Sequence, residues 1–105
     1  MGFTGNEDHD ITLSEATSWT GNYRNANPGK VKAHFFGRDA IQDILDQADC
    51  VGIRIYYALD DNGVKHLVLV GTDADQNDLY TGVLCERSMP CPPFCNIGKS
   101  PLQGN

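Results

Sequence analysis

Cys85, Cys91 and Cys95 stand close together in the stretch "CERSMPCPPFCN", and Cys50 lies far upstream. Thiols at such spacing can ligate zinc, close a disulfide, or pack as small apolar groups. Structural zinc draws on paired cysteines, each pair delivering two thiolates to one tetrahedral ion. Cys91 and Cys95 form the one such pair here, so Cys85 and either Cys50 or a histidine would have to complete the site. For a Cys91–Cys95 disulfide, an extended path at about 3.1 Å per residue would set the Cα atoms ~12 Å apart. That exceeds the ~7 Å limit for a bridge. A local bridge therefore requires a tight turn through Pro92, Pro93 and Phe94, while bridges from the tail to Cys85 or Cys50 are equally open. The first expectation is reduced, structural cysteines, with Cys50 and Cys85 as core groups and "PCPPFC" as a stiff tail. Disulfides and zinc follow in that order.

Imidazoles are the other chemistry-bearing groups: His9, His34 and His66. His66 lies in a segment rich in strand-forming residues, and its neighbours there decide what it could do. "TDADQND" places Asp73, Asp75 and Asn77 at the spacing that opens a calcium loop. Asp78 then occupies the position that needs glycine, and Leu84 the position of the bidentate glutamate. Turn formation, in which Asp and Asn side chains bond their own backbone, is the simpler reading of this stretch.

The elements that must position these residues follow from periodicity. Thr12 and Glu15 have capping-box spacing, Leu13, Ala16, Trp19 and Tyr23 form one helical stripe, and Asn27-Pro28-Gly29 ends it. Trp19 is expected in the core. "VKAHFF" has the period of a strand and Gly37 breaks it. Ile41, Ile44, Leu45 and Ala48 mark a second amphipathic helix, whose polar face of Gln42, Asp43, Asp46 and Gln47 reads as solvated. "VGIRIYYALDDNGVKHLVLVG" is a hairpin, and its turn sets the register. A two-residue Asn62-Gly63 turn would expose Leu67 and Leu69. A type I turn through Asp61-Asn62-Gly63 closed by a glycine bulge opposes Asp60 to Val64 and separates the faces better. One face is then Val51, Ile53, Ile55, Tyr57, Leu67 and Leu69, wholly apolar. The other is mixed: Arg54, Tyr56, Ala58, His66, Val68 and Val70. "LYTGVLC" reads as a further strand, and the remainder as coil.

The predicted fold is α+β: two amphipathic helices packed on a small, mainly antiparallel sheet. The sheet comprises a three-stranded meander and a fourth strand. Residues 1–10 are a flexible N-terminal segment, 11–85 one domain, and 86–105 a Pro/Cys-rich tail packed on it. Within 105 residues, 40% hydrophobic and 21% charged, one core is the default. Fourteen acidic against eight scattered basic residues give a formal charge of -6, which argues against nucleic-acid partners and anionic lipid. No apolar run approaches the ~20 residues of a membrane span, and the N-terminus lacks a signal pattern. Membrane insertion is not expected. The cytoplasm is the default location, with export by a signal-independent route left open.

The segments "ITLSEA", "GIRIYYAL", "LVLVGTD" and "CPPFC" resemble a set of small bacterial proteins of no established function, over about Ile11 to Cys95. The resemblance implies no activity and no functional residues. A sheet apolar on both faces with two helices to cover it points instead to association. The expected function is a non-enzymatic structural or protein-interaction module, self-associating through Arg54, Tyr56, His66, Val68 and Val70 and through the tail. No cofactor is expected. The alternative is a small zinc or thiol/disulfide protein using Cys50, Cys85, Cys91 and Cys95, and an enzyme built on His66, Arg54 and Tyr56 ranks third.

Overall fold

The computed structural model describes residues 2–104. The chain runs α1 (Leu13–Ala26), β1 (Ala33–Phe35), α2 (Arg38–Leu45), β2 (Cys50–Leu59), β3 (Lys65–Asp73), β4 (Leu84–Cys85) and β5 (Met89–Cys91). Two helices and a mainly antiparallel sheet make it an α+β protein. The elements divide between two compact units. The first comprises the chain up to Glu7 together with Phe36–Ser88, and the second comprises Asp8–Phe35 with the segment from Met89 onward.

In the first unit, β2, β3 and β4 form an antiparallel meander in that order. The turn between β2 and β3 is the bulged one: Asp60 N–H donates to the Val64 carbonyl at 2.9 Å, Gly63 N–H donates to the Asp60 carbonyl at 2.9 Å, and Gly63 has φ 78°. Glycine meets that positive φ without a Cβ penalty. The resulting register sets Tyr57 against Leu67, Ile55 against Leu69 and Ala58 against His66. The separation of an apolar from a mixed face is therefore real, but their burial differs from expectation. α2 reaches only the far end of the hairpin, where Ile44 is fully buried, and Leu69 and Val70 are buried in β3. Nearer the turn, Ile55, Tyr57 and Leu59 lie bare on the β2 side of the apolar face, while Leu67 is half-buried. α2 also stops at Leu45, before the predicted Ala48, and Asp49 with φ 68° turns the chain into β2.

Gln47 is not part of a solvated face. Its Nε2 donates to the Ile44 carbonyl at 2.9 Å and its Oε1 accepts from Val83 N–H at 2.8 Å. Two glycines leave room for this carboxamide. A Cβ on Gly71 would come within 2.9 Å of Nε2, and one on Gly82 would collide with Oε1. The link ties the end of α2 to the chain entering β4.

In the second unit α1 has the expected cap: Glu15 N–H donates to Thr12 Oγ1 at 3.0 Å, and Thr12 N–H donates to the Glu15 carboxylate. Its apolar stripe is not core, since Leu13 is 65% and Trp19 59% exposed. The half-buried side of the helix is instead small and polar, including Ala16, Thr20 and Arg24, and Arg24 donates to the Leu102 carbonyl at 2.7 Å. The predicted fourth strand is reduced to β1, which pairs with β5 in a separate two-stranded ladder. The tail thus contributes a strand where coil was expected, because its main-chain groups bond to the β1 segment: Lys32 N–H donates to the Cys91 carbonyl at 2.7 Å.

Candidate functional site

On the mixed face the hairpin turn and the sheet bring charged groups together in two clusters. Asp60 Oδ1 accepts from Asn62 N–H at 2.8 Å and Val64 N–H at 2.9 Å, so this carboxylate organises the turn. Its other oxygen lies 2.9 Å from His66 Nε2, while His66 Nδ1 lies 2.8 Å from Glu86. An imidazole flanked on both nitrogens by carboxylates satisfies both when doubly protonated. The hydrogen bond to Asp60, then the charge of Glu86, raises the His66 pKa above its ordinary value. The same contact with His66, followed by the Val64 N–H, lowers that of Asp60.

The second cluster centres on Asp78. Arg54 Nη1 donates to Asp78 Oδ1 at 2.7 Å, and both Arg54 Nη atoms donate to the Gln76 carbonyl at 3.3 Å. Tyr56 donates its hydroxyl hydrogen to the other Asp78 oxygen. The Arg54 guanidinium also lies over the Phe3 ring, 5.9 Å from its centre. Arg54 and Tyr56 therefore meet each other on Asp78, whereas His66 meets Asp60 and Glu86. When doubly protonated, His66 has no free nitrogen lone pair to act as a base. The clusters are suited to fixing the turn and the strand ends.

The remaining predicted positions divide similarly. Val70 is 2% exposed, and Val68 is half-buried. Burial on this face is confined to the end of β3 that pairs with β4 and with Asp78, and nearer the turn Tyr56 is 45% exposed. Bare apolar surface occurs on the opposite face, where Ile55 is 54%, Tyr57 94% and Leu59 68% exposed.

Cys91 and Cys95 form a disulfide with Cα atoms 4.7 Å apart, in place of the reduced state expected first. The chain makes the required tight turn: Phe94 N–H donates to the Pro90 carbonyl at 2.9 Å and Cys95 N–H to the Pro93 carbonyl at 3.0 Å. The Cys91-Pro92 and Pro92-Pro93 peptide bonds are cis. Cys50 and Cys85 are free, half-buried thiols within the meander, at the start of β2 and the end of β4. Among the described residues no three His, Cys, Asp or Glu side chains are gathered to hold a metal ion. The zinc alternative thus loses two thiols to the bridge. Asp73 behaves as a turn former, its Oδ1 accepting from Asp75 and Asn77 N–H at 2.9 Å each.

No protein-family model, curated protein or solved structure matches the chain. Roles for these residues therefore rest on geometry. Among the described residues no helix is long and apolar enough to cross a membrane. Asp60, Glu86 and Asp78 escaped the sequence reading. Strand parity from Ala58 would have placed Asp60 beside His66, whereas Glu86 and Asp78 needed the register of β4 and of the loop before it.

Proposed function

We propose that the chain is a non-enzymatic structural or protein-interaction module that associates with copies of itself. The observation that supports this is the bare apolar stripe of Ile55, Tyr57 and Leu59 on one face of a regular, hydrogen-bonded sheet. Apolar side chains held side by side on a rigid strand are a ready contact surface. The polar members of the mixed face are spoken for within the chain, so the contact is assigned to the stripe and not to Val68 and Val70. In the tail, Phe94 and Ile97 are exposed too and offer a second contact. The test is light scattering coupled to size exclusion on the full chain and on Tyr57→Asp. We expect a concentration-dependent oligomer that Tyr57→Asp disperses with its circular dichroism unchanged. A wild-type monomer at every concentration refutes the reading.

A second reading is favoured by the Cys91–Cys95 bridge: a thiol/disulfide role for the tail. Persisting disulfides belong to oxidising compartments. The bridge therefore supports export over the cytoplasmic default. Intact mass of protein purified from its native host, with and without reductant, tests this, and two reduced tail thiols in that material defeat it.

A further inference from the structure

Among the described residues β2 borders the meander, with β3 as its one neighbour in the sheet. In an antiparallel pair, successive residues turn their main-chain groups alternately toward and away from the partner. Asp60 bonds toward Val64, so in the same register Ala58, Tyr56 and Arg54 also face β3. Leu59, Tyr57 and Ile55 then direct their N–H and C=O groups outward. The far side of β3 agrees. Gly71 and Leu69, the partners of Ile53 and Ile55, point away from β2, the first accepting from Leu79 N–H at 2.8 Å and the second pairing with Cys85 of β4.

Edges of this kind are ordinarily blunted by lysine, proline, a bulge or a covering segment. From Ile53 to Leu59 the edge reads "IRIYYAL", with neither lysine nor proline. The one bulge lies earlier, between Cys50 and Gly52, and the N-terminal segment meets β2 at Val51, where Gly5 approaches the carbonyl. Of the four residues with outward main-chain groups, Ile53 is half-buried, and the other three, Ile55, Tyr57 and Leu59, also carry exposed apolar side chains.

We infer that this edge receives β2 of a second copy, antiparallel, about a two-fold axis at Tyr57, so that one sheet continues through two chains. This rests on the self-association reading and specifies its geometry. The edge is complementary to itself in register and in its apolar pairs, and the Arg54 and Asp60 charges, already bonded within each chain, add only a match of sign across the ladder. With Tyr57 opposite itself, Arg54 of each copy stands opposite Asp60 of the other, and Ile55 of each opposite Leu59 of the other. Opposite charges and apolar pairs directly across a ladder are stabilising. Each outward residue meets an outward residue, giving about six main-chain hydrogen bonds over three pairs. A slip by one residue would set outward groups against inward ones. The shared edge is short beside the roughly 800 Å² per partner of a standard interface. The dimer is accordingly concentration-dependent.

Amide hydrogen exchange by NMR on the full chain, below and above the dimer transition located by light scattering, tests this. In dilute solution the Ile55, Tyr57 and Leu59 amides exchange quickly, and in the dimer they slow about tenfold or more. Arg54, Tyr56 and Ala58, bonded to β3, stay protected in both. A dimer whose three outward amides remain fast overturns the edge pairing and leaves self-association standing. A monomer throughout overturns both.

Discussion

Removing the Gln47 carboxamide should loosen the first unit by an amount readable from its two hydrogen bonds. The Gln47→Ala variant loses the 2.9 Å bond to the Ile44 carbonyl and the 2.8 Å bond from Val83 N–H. At about 1 kcal/mol net for each bond, the cost is about 2 kcal/mol. Gly82→Ala attacks the same link from the other side. Its backbone needs no positive φ, but the added methyl group collides with Gln47 Oε1 and drives the carboxamide out. Its cost should therefore also be about 2 kcal/mol, and the double variant should cost about 2 rather than about 4 kcal/mol, because the link can be lost only once. In urea, with a slope of about 1–2 kcal/mol per molar, each variant lowers the midpoint by about 1–2 M. Circular dichroism in four urea series, for wild type, the two single variants and the double variant, gives the cycle. Additive costs, or a Gln47→Ala loss under about 0.5 kcal/mol, would show that the carboxamide is an ornament of the α2 terminus and not a tie.

Two further outcomes follow from the charged and covalent features. His66 has a folded pKa above its unfolded value of about 6.5, so its contribution is complete below that value and is lost as pH rises through the raised pKa. Asp60 is depressed, so its contribution is present above its unfolded pKa and disappears as pH falls through the lowered one. The hairpin should thus be firmest between these limits, and His66→Gln should flatten the alkaline side of a urea-midpoint profile. An unchanged profile there would exclude a stabilising role for the contacts of His66 with Asp60 and Glu86. For the tail, denaturation without reductant followed by alkylation should label Cys50 and Cys85 and leave Cys91 and Cys95 unlabelled, with all four labelled after reduction. Labelling of the tail pair in the first sample would contradict the bridge.

Much of this architecture was legible in local chemistry. The capping box at Thr12 and Glu15 placed the start of α1, and Asp60 to Gly63 selected the hairpin register. These signals are local, so a short sequence window contains them. Burial was less legible, since it depends on what covers a surface. Trp19 follows a helical stripe and still faces outward, because the half-buried side of α1 is its small, polar one. Val70 and Tyr57 exchanged roles for the same reason: Val70 lies at the buried end of β3, beside β4, and α2 is too short to cover Tyr57. The partners of His66 and Arg54 come from Glu86 and Asp78, whose positions are set by pairings remote in sequence.

The order in which the chain visits its two units has a consequence for how it is made. It passes from the first unit to the second after Glu7, returns after Phe35, and leaves again after Ser88. Phe35 and Met89 are paired across the β1–β5 ladder, so everything between them forms one closed excursion. Bringing such distant ends together from a disordered chain costs roughly 3–4 kcal/mol of loop-closure entropy. Most of that cost vanishes once the intervening residues have folded and their ends are held. Phe36 to Ser88 also leave the ribosome before Met89 does. Synthesis therefore favours a sequence in which the meander forms first and α1 waits for the last part of the chain. Truncation before Met89 should spare the hairpin and leave α1 without the strand, bridge and Leu102 carbonyl that complete its unit.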